Sequence, residues 1–232
     1  MDHPSRLRVV SYNIDSWAGD SAALTASVRS LAPDVLVLQQ VLSWQDPRTW
    51  VVDLAGRFGM AHAFGGLTAF GNAVLTSTSV TVHGWRVVRY PLAWPRDSPR
   101  AAVVVSCSIG GVRIVAAGSH LSTDAAIRSR QAAILKQTLN AAGAPVVAGV
   151  DVNDTSTSVA WRTLADGLVD AAEATGQADI PTFPTRAPAR RIDAIFVHPS
   201  LPVSDYRVVD TPQTRVASDH FPLYADVALA GG

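Results

Sequence analysis

Cysteine is almost missing: Cys107 is the only one in 232 residues, so no intramolecular disulfide can form and nothing asks for an oxidising compartment. Cys107 stands in an apolar run and reads as core. Lysine and glutamate are equally scarce, with Lys136 and Glu173 the sole examples. Charged residues total only 16%, and nineteen basic side chains balance nineteen acidic ones. Such a chain has no global positive field to draw it onto polyanions, which disfavours a duplex-coating protein. Long hydrophobic runs are missing too: the most apolar stretch, residues 101–112, carries Gly110 and Gly111 and stops at Arg113, well short of the roughly 20 residues a spanning helix needs. The first ten residues, MDHPSRLRVV, hold neither an apolar segment of signal-peptide length nor a small-residue cleavage site. The expectation is a cytoplasmic chain without a membrane span. A Gly-rich P-loop, a CxxC pair, a GxSxG elbow, a tandem repeat and a dividing linker are also lacking.

What is present is ample core material, 48% hydrophobic residues, which excludes disorder for most of the length. We expect one α/β domain over residues 1–232. Short β-branched runs bounded by turn residues predict strands at 7–12, 34–38, 72–75, 101–107, 112–117 and 145–150. Helical spacing marks 21–31, 124–142 with Asp124 as N-cap and Gly143 and Pro145 as the stop, and 157–164. The C-terminal third adds strands at 192–197, 206–209 and 221–227 with no long helix between them, an antiparallel arrangement. The loop at 181–191, PTFPTRAPARR, is dense in proline and arginine. It is either a surface connector or part of an active site, since it runs directly into a strand.

The informative pattern is polar residues at the ends of apolar strands, where sheet enzymes gather their sites. Val9 to Tyr12 run into Asn13 and Asp15, and Val35 to Leu38 into Gln39 and Gln40. Val115 to Gly118 lead to His120, Val146 to Val150 to Asp151 and Asn153, and a last loop carries Ser218, Asp219 and His220. Five such ends point to one convergent pocket.

In chain order these elements, SYNID at 11–15, PDVLVLQQV at 33–41, GNAVLTS at 71–77, PRAAVVV at 99–105, GSHLS at 118–122, DVND at 151–154, RIDAIFV at 191–197 and SDH at 218–220, resemble the endonuclease/exonuclease/phosphatase superfamily. That group takes in DNase I-like nucleases, abasic-site endonucleases, inositol polyphosphate phosphatases and sphingomyelinases. The resemblance spans nearly the whole chain. It implies a four-layer α/β/β/α sandwich of two mixed sheets flanked by helices, a site at one edge between the sheets, a divalent metal, normally Mg²⁺ with Mn²⁺ as a substitute, and attack of water on a phosphorus ester.

Carried over residue by residue, the resemblance makes Asp151 the base that orients and deprotonates water, with Asn153 donating to the forming oxyanion. Asp193 would hold His220 and favour its imidazolium; whether His220 then acts as base or as cationic stabiliser stays open. His120 and Asn13 would donate to phosphate oxygens. Arg100, or an arginine of the 186–191 loop such as Arg191, would neutralise charge. Each has a plainer alternative: strand-end turns for Asp151 and Asn153, a solvent-facing strand start for Arg100, a turn for Asn72, which otherwise supports the phosphate site by positioning a carboxylate. Trp17 and Trp94 would either stack on substrate or pack locally. His3, His62, His83 and His198 lack matching neighbours and read as surface or loop residues.

One departure stands out. Where the family shows Leu-Gln-Glu, this chain has Leu38, Gln39 and Gln40. A hard dication prefers charged oxygen donors, and Gln40 offers only a neutral carbonyl. The expected metal set is therefore Asp15, Gln40 and Asp219, with the two aspartates compensating. Three explanations compete: a change introduced to trap substrate, a natural site in which Asp15 and Asp219 suffice, or drift to other chemistry. The leading expectation is a metal-dependent phosphoesterase acting on a small phosphorylated or phosphodiester substrate rather than long duplex DNA. The rivals are a repurposed enzyme doing metal-weak acid-base chemistry on a non-phosphate metabolite, and a non-catalytic binder of phosphorylated ligands. Oligomeric state is not specified by the sequence.

Overall fold

A computed structural model describes residues 6–41, 50–92, 95 and 97–229. Along the central strands apolar side chains point alternately to two buried faces, and that demands a layer on each side. In β1 (Arg6–Asn13), Val9 faces the space between two sheets while Val10 and Tyr12 face helices. The same division repeats in β2 (Val35–Gln39), with Val37 inward and Leu36 and Leu38 outward.

The first sheet is completed by β3 (His62–Gly66), β4 (Asn72–Thr76), β11 (Val203–Val208) and β12 (Leu223–Ala228), in the order β11-β12-β1-β2-β4-β3. The second holds β5 (Val80–Arg89), β6 (Ala101–Ile109), β7 (Val112–His120), β8 (Val146–Asp151), β9 (Val169–Asp170) and β10 (Asp193–Val197), in the order β5-β6-β7-β8-β10-β9. Two pairs are parallel, β1 with β2 and β7 with β8. Each needs a crossover, supplied by α1 (Ser21–Leu31) and α3 (Ala125–Asn140). Asp20 and Asp124 cap these two helices by accepting from the second and third N–H groups.

Helices α1 and α2 (Trp50–Phe58) cover the first sheet through Leu24, Val28, Leu54 and Phe58. Leu135 and Leu139 of α3 and Trp161 of α4 (Val159–Ala165) cover the second. Between the sheets lie Val9, Val37, Val74, Val103, Ile114, Val147 and Ile195, with Cys107 among them. This is the four-layer sandwich expected. The C-terminal strands are antiparallel to their neighbours, with β11 and β12 joined through the short helix α5 (Pro212–Ala217).

Sequence patterning missed α2, β3, β5, β9 and the short helices at Ala171–Ala174 and Pro212–Ala217. Strand β5 is an edge strand with Trp85 49% exposed, so hydrogen bonding to β6 rather than burial makes it a strand, and no alternating signal is needed. Near the site end the sheets press together at two glycines. A Cβ on Gly118 would lie 2.5 Å from Val37 Cγ1, and one on Gly149 would lie 2.6 Å from Ser11 Oγ. No helix among the described residues is long and apolar enough to cross a membrane.

Candidate active site

Strand register brings the polar residues together. His120 pairs with Asp151 across β7 and β8, and Asp151 with Asp193 across β8 and β10. Because β10 runs against β8, its first residue lies level with the last residue of β8. In the facing sheet Asn13 pairs with Gln39 at the ends of β1 and β2. Asn13 reaches across the sandwich and donates from Nδ2 to Asp151 Oδ2 at 2.9 Å. The loop before β12 closes the edge: Ser218 Oγ donates to the Asn13 carbonyl at 2.7 Å and accepts from the His220 N–H at 3.2 Å.

Two histidines approach Asp151, which is buried. His120 Nε2 lies 3.3 Å and His220 Nε2 4.0 Å from Asp151 Oδ2. Burial lowers the pKa of His120 to about 4, against the opposing pull of Asp151 and assisted by Arg100 and His220. For His220 burial again opposes charge, but the Asp193 carboxylate, which accepts from Nδ1 at 2.9 Å, outweighs it together with Asp151 and Asp219, raising the ring to about 9. Burial raises the Asp151 carboxyl; the two rings and hydrogen bonds from Asn13 and the Asn153 N–H pull it down, for a net below the usual carboxylate value. The site thus holds a neutral imidazole, a carboxylate and an imidazolium in one row.

Asp15 and Asp219 form a second acidic group beside this row. Asp219 Oδ1 is 3.9 Å from His220 Nε2. Burial and the Asp219 charge raise the Asp15 carboxyl, with His220 opposing. Gln40 joins through the backbone, its carbonyl accepting from the Ser16 N–H at 3.1 Å. The two carboxylates offer charged oxygen donors of the kind a hard divalent cation prefers. Asp151, Asp193 and His220 also bring ligating atoms within 4.8 Å of one another, with the Asp193 carboxylate on Nδ1 of His220. A cleft of about 620 Å³ opens from Asp15 and Asp219 toward Thr185 and Arg186.

Other expected residues lie elsewhere. Arg191 is a correction: its guanidinium is buried, pairs with Asp170 at 2.8 Å and stacks over Trp161, so it faces the sheet interior instead of a phosphate. Asn72 is another. It donates to the Ala69 and Ala101 carbonyls at 3.1 Å each and fastens the two sheets together. The Asn153 amide donates to the Leu121 carbonyl and contacts His120 Nε2, both at 2.8 Å. The Asn153 amide is thus engaged by its own neighbours, Leu121 and His120, where the expectation was an oxyanion donor. Arg100 does sit by the site, near enough to influence His120, with Asp97 beside it at 3.8 Å. Trp17 stacks on Phe58 in the outer core; Trp94 and His3 lie outside the described residues.

Three contributors escaped the sequence reading. Thr182 donates to Asp193 Oδ2 at 2.6 Å and accepts from the Ile192 N–H at 3.1 Å, while the Phe183 ring packs on His220. The 181–191 loop therefore serves the site through its threonine and phenylalanine. Arg128 of α3 donates to the Ser122 and Thr123 carbonyls and to Asp154, tying together the loops that carry His120 and Asn153. Its three-residue spacing from Gln131, which accepts from the Ser122 N–H, was the available signal.

A profile of the Endonuclease/Exonuclease/phosphatase family matches residues 10–220. No curated protein matches significantly. Among solved structures the chain is similar to an endonuclease/exonuclease/phosphatase family protein from Bacteroides thetaiotaomicron, at TM-score 0.81 and 18% identity over 99% of this chain and 100% of that one. It is also similar to D. rerio TDP2 complexed with a single-strand DNA product, at TM-score 0.79 and 20% identity over 97% and 100%. A third is the B. thetaiotaomicron mannosyl-6-phosphatase Bt3783, at TM-score 0.78 and 19% identity over 96% and 100%. Likeness at these identities establishes the shared fold.

Proposed function

The chain belongs to the endonuclease/exonuclease/phosphatase family, and on that premise we propose that it is a divalent-metal-dependent hydrolase of small phosphate esters. One observation carries the reading: an ionised, buried Asp151 stands 4.0 Å from a cationic His220, beside an acidic pair that opens on a cleft.

Water becomes an effective nucleophile when a carboxylate takes its proton, and Asp151 is fixed for this by Asn13 and the Asn153 N–H. As the water oxygen bonds to phosphorus, the bond from phosphorus to the alcohol oxygen breaks. The His220 imidazolium balances charge on the phosphoryl oxygens and carries a proton on Nε2 for the departing oxygen. His120, with Nε2 3.3 Å from the same Asp151 oxygen, is kept from charging by burial, so His220 is the cation of the pair. Arg100 supplies a further positive charge at the rim. Mg²⁺ or Mn²⁺, held by Asp15 and Asp219 with the Gln40 carbonyl, would supply positive charge for the phosphoryl oxygens.

Zero net charge favours a small ester over duplex DNA. The neighbours support a phosphorus substrate without deciding its size, since one is described with a DNA product and another as a sugar phosphatase. Gln40 favours a second reading, in which metal is bound weakly and the same groups do acid-base chemistry on a non-phosphate metabolite. The test is hydrolysis of aryl phosphate mono- and diesters with Mg²⁺, with chelator, and with Asp151→Asn. Turnover that chelation abolishes and Asp151→Asn lowers by about 10²- to 10⁴-fold is the expected result. Activity that survives chelation selects the second reading, and no turnover of any phosphate ester overturns the first.

A further inference from the structure

Resting on the phosphoesterase reading above, we infer that the cleft beyond Asp15 and Asp219 seats a neutral, polyhydroxylated leaving group, so that the substrate is a phosphate ester of a sugar or another polyol. Direction comes from the site geometry. His220 Nε2 lies 4.0 Å from Asp151 Oδ2 and 3.9 Å from Asp219 Oδ1, within reach of both carboxylates. A phosphoryl group resting on this ring has its attacking water on the Asp151 side. In-line displacement then puts the departing oxygen on the Asp219 side, where the cleft begins.

The cleft lining selects the kind of alcohol. Its volume of about 620 Å³ suits a small molecule and its wall contains no aromatic side chain among the described residues, so a nucleobase finds nothing to stack on. Asp15, Asp20 and Asp219 line it together with Arg186; with Asp15 and Asp219 engaged by the cation, Asp20 and Arg186 remain as the charged groups left to meet the leaving group. Arg215, also at the wall, is held by Asp210 and by the Thr185 carbonyl. Arg186 is exposed and makes no hydrogen bond or ion pair among the described residues. Asp20 uses only Oδ1 to cap α1, which leaves Oδ2 as an acceptor. A lone guanidinium fork opposite carboxylate oxygens offers donors and acceptors side by side, and adjacent hydroxyl groups, each donor and acceptor at once, match both.

The test is steady-state kinetics of the Mg²⁺-loaded protein on a hexose 6-phosphate, a nucleoside 5′-monophosphate and p-nitrophenyl phosphate, with inorganic phosphate as competitive inhibitor. The hexose phosphate is expected to show the highest kcat/KM of the two unactivated esters. Arg186→Ala should raise its KM by about tenfold, the loss of one charge-assisted hydrogen bond, while kcat and the inhibition constant of phosphate hold. Ala18→Trp, at an exposed wall position, should shut out the hexose phosphate and leave phosphate inhibition intact. Preference for the nucleotide, or variants that leave hexose phosphate and aryl phosphate equally affected or unaffected, overturns the inference while the phosphoesterase reading stands. Failure of all three esters and of phosphate binding overturns both.

Discussion

His120 and His220 approach a single carboxylate oxygen of Asp151, at 3.3 and 4.0 Å, yet burial outweighs that carboxylate at the first and holds it near pKa 4, while the Asp193 pairing holds the second near 9. NMR titration of the metal-free protein should therefore find one ring uncharged down to about pH 5 and another charged up to about pH 8. The folded value of His220 exceeds its ordinary 6.5, so its contribution to stability is complete below that pH and disappears as pH rises through about 9. Activity should fall over the same interval. Two rings titrating together near 6.5 would refute the assignment.

Thr182→Val keeps the side-chain shape but removes the donor to Asp193 and leaves the buried Ile192 N–H without its acceptor. Thermal denaturation should register a loss of about 1–3 kcal/mol, and His220 should titrate at a different pH in NMR spectra. Thr182→Ser should restore both. Unchanged melting and an unchanged titration would mean that Thr182 neither anchors Asp193 nor supports its strand.

Gln40→Glu adds a charge to the Asp15 and Asp219 oxygen set. Calorimetric titration with Mg²⁺ should show affinity rising by about 10- to 100-fold, the scale on which ligand surroundings act. Equal affinity would mean that the two aspartates already complete the site.

Arg191→Ala strands the carboxylate of Asp170, which is buried and also receives Trp161 Nε1. Denaturant unfolding should report a loss of about 3–5 kcal/mol, with KM for phosphate esters unchanged at temperatures where the variant is folded. A raised KM with normal stability would return Arg191 to substrate binding.

The strand ends carrying Asn13, His120 and Asp151 were readable because two-sided burial leaves long apolar runs and any polar residue closing one is conspicuous. Strand β1 shows the reach of that signal: Val9 and Val10 reveal a strand buried on both faces, and Asn13 marks the end that meets Asp151. Thr182 and Arg191 mark its limit. They lie in one loop of similar composition, and which of them meets Asp193 depends on how residues 181–191 fold back, with Phe183 bridged to Arg190, and on Asp170 lying across β10 to capture Arg191.

Order along the chain was enough to specify the layers, the family and the polar strand-end side chains that gather at one edge, because local periodicity and strand-end chemistry are properties of neighbours in sequence. Protonation states, the inward turn of Arg191, the sheet-fastening amide of Asn72 and the opening of a cleft at Arg186 arose only on folding. Each depends on desolvation and on partners far apart along the backbone, as between Asp193 and His220, and such energies come into being only when the sheets close.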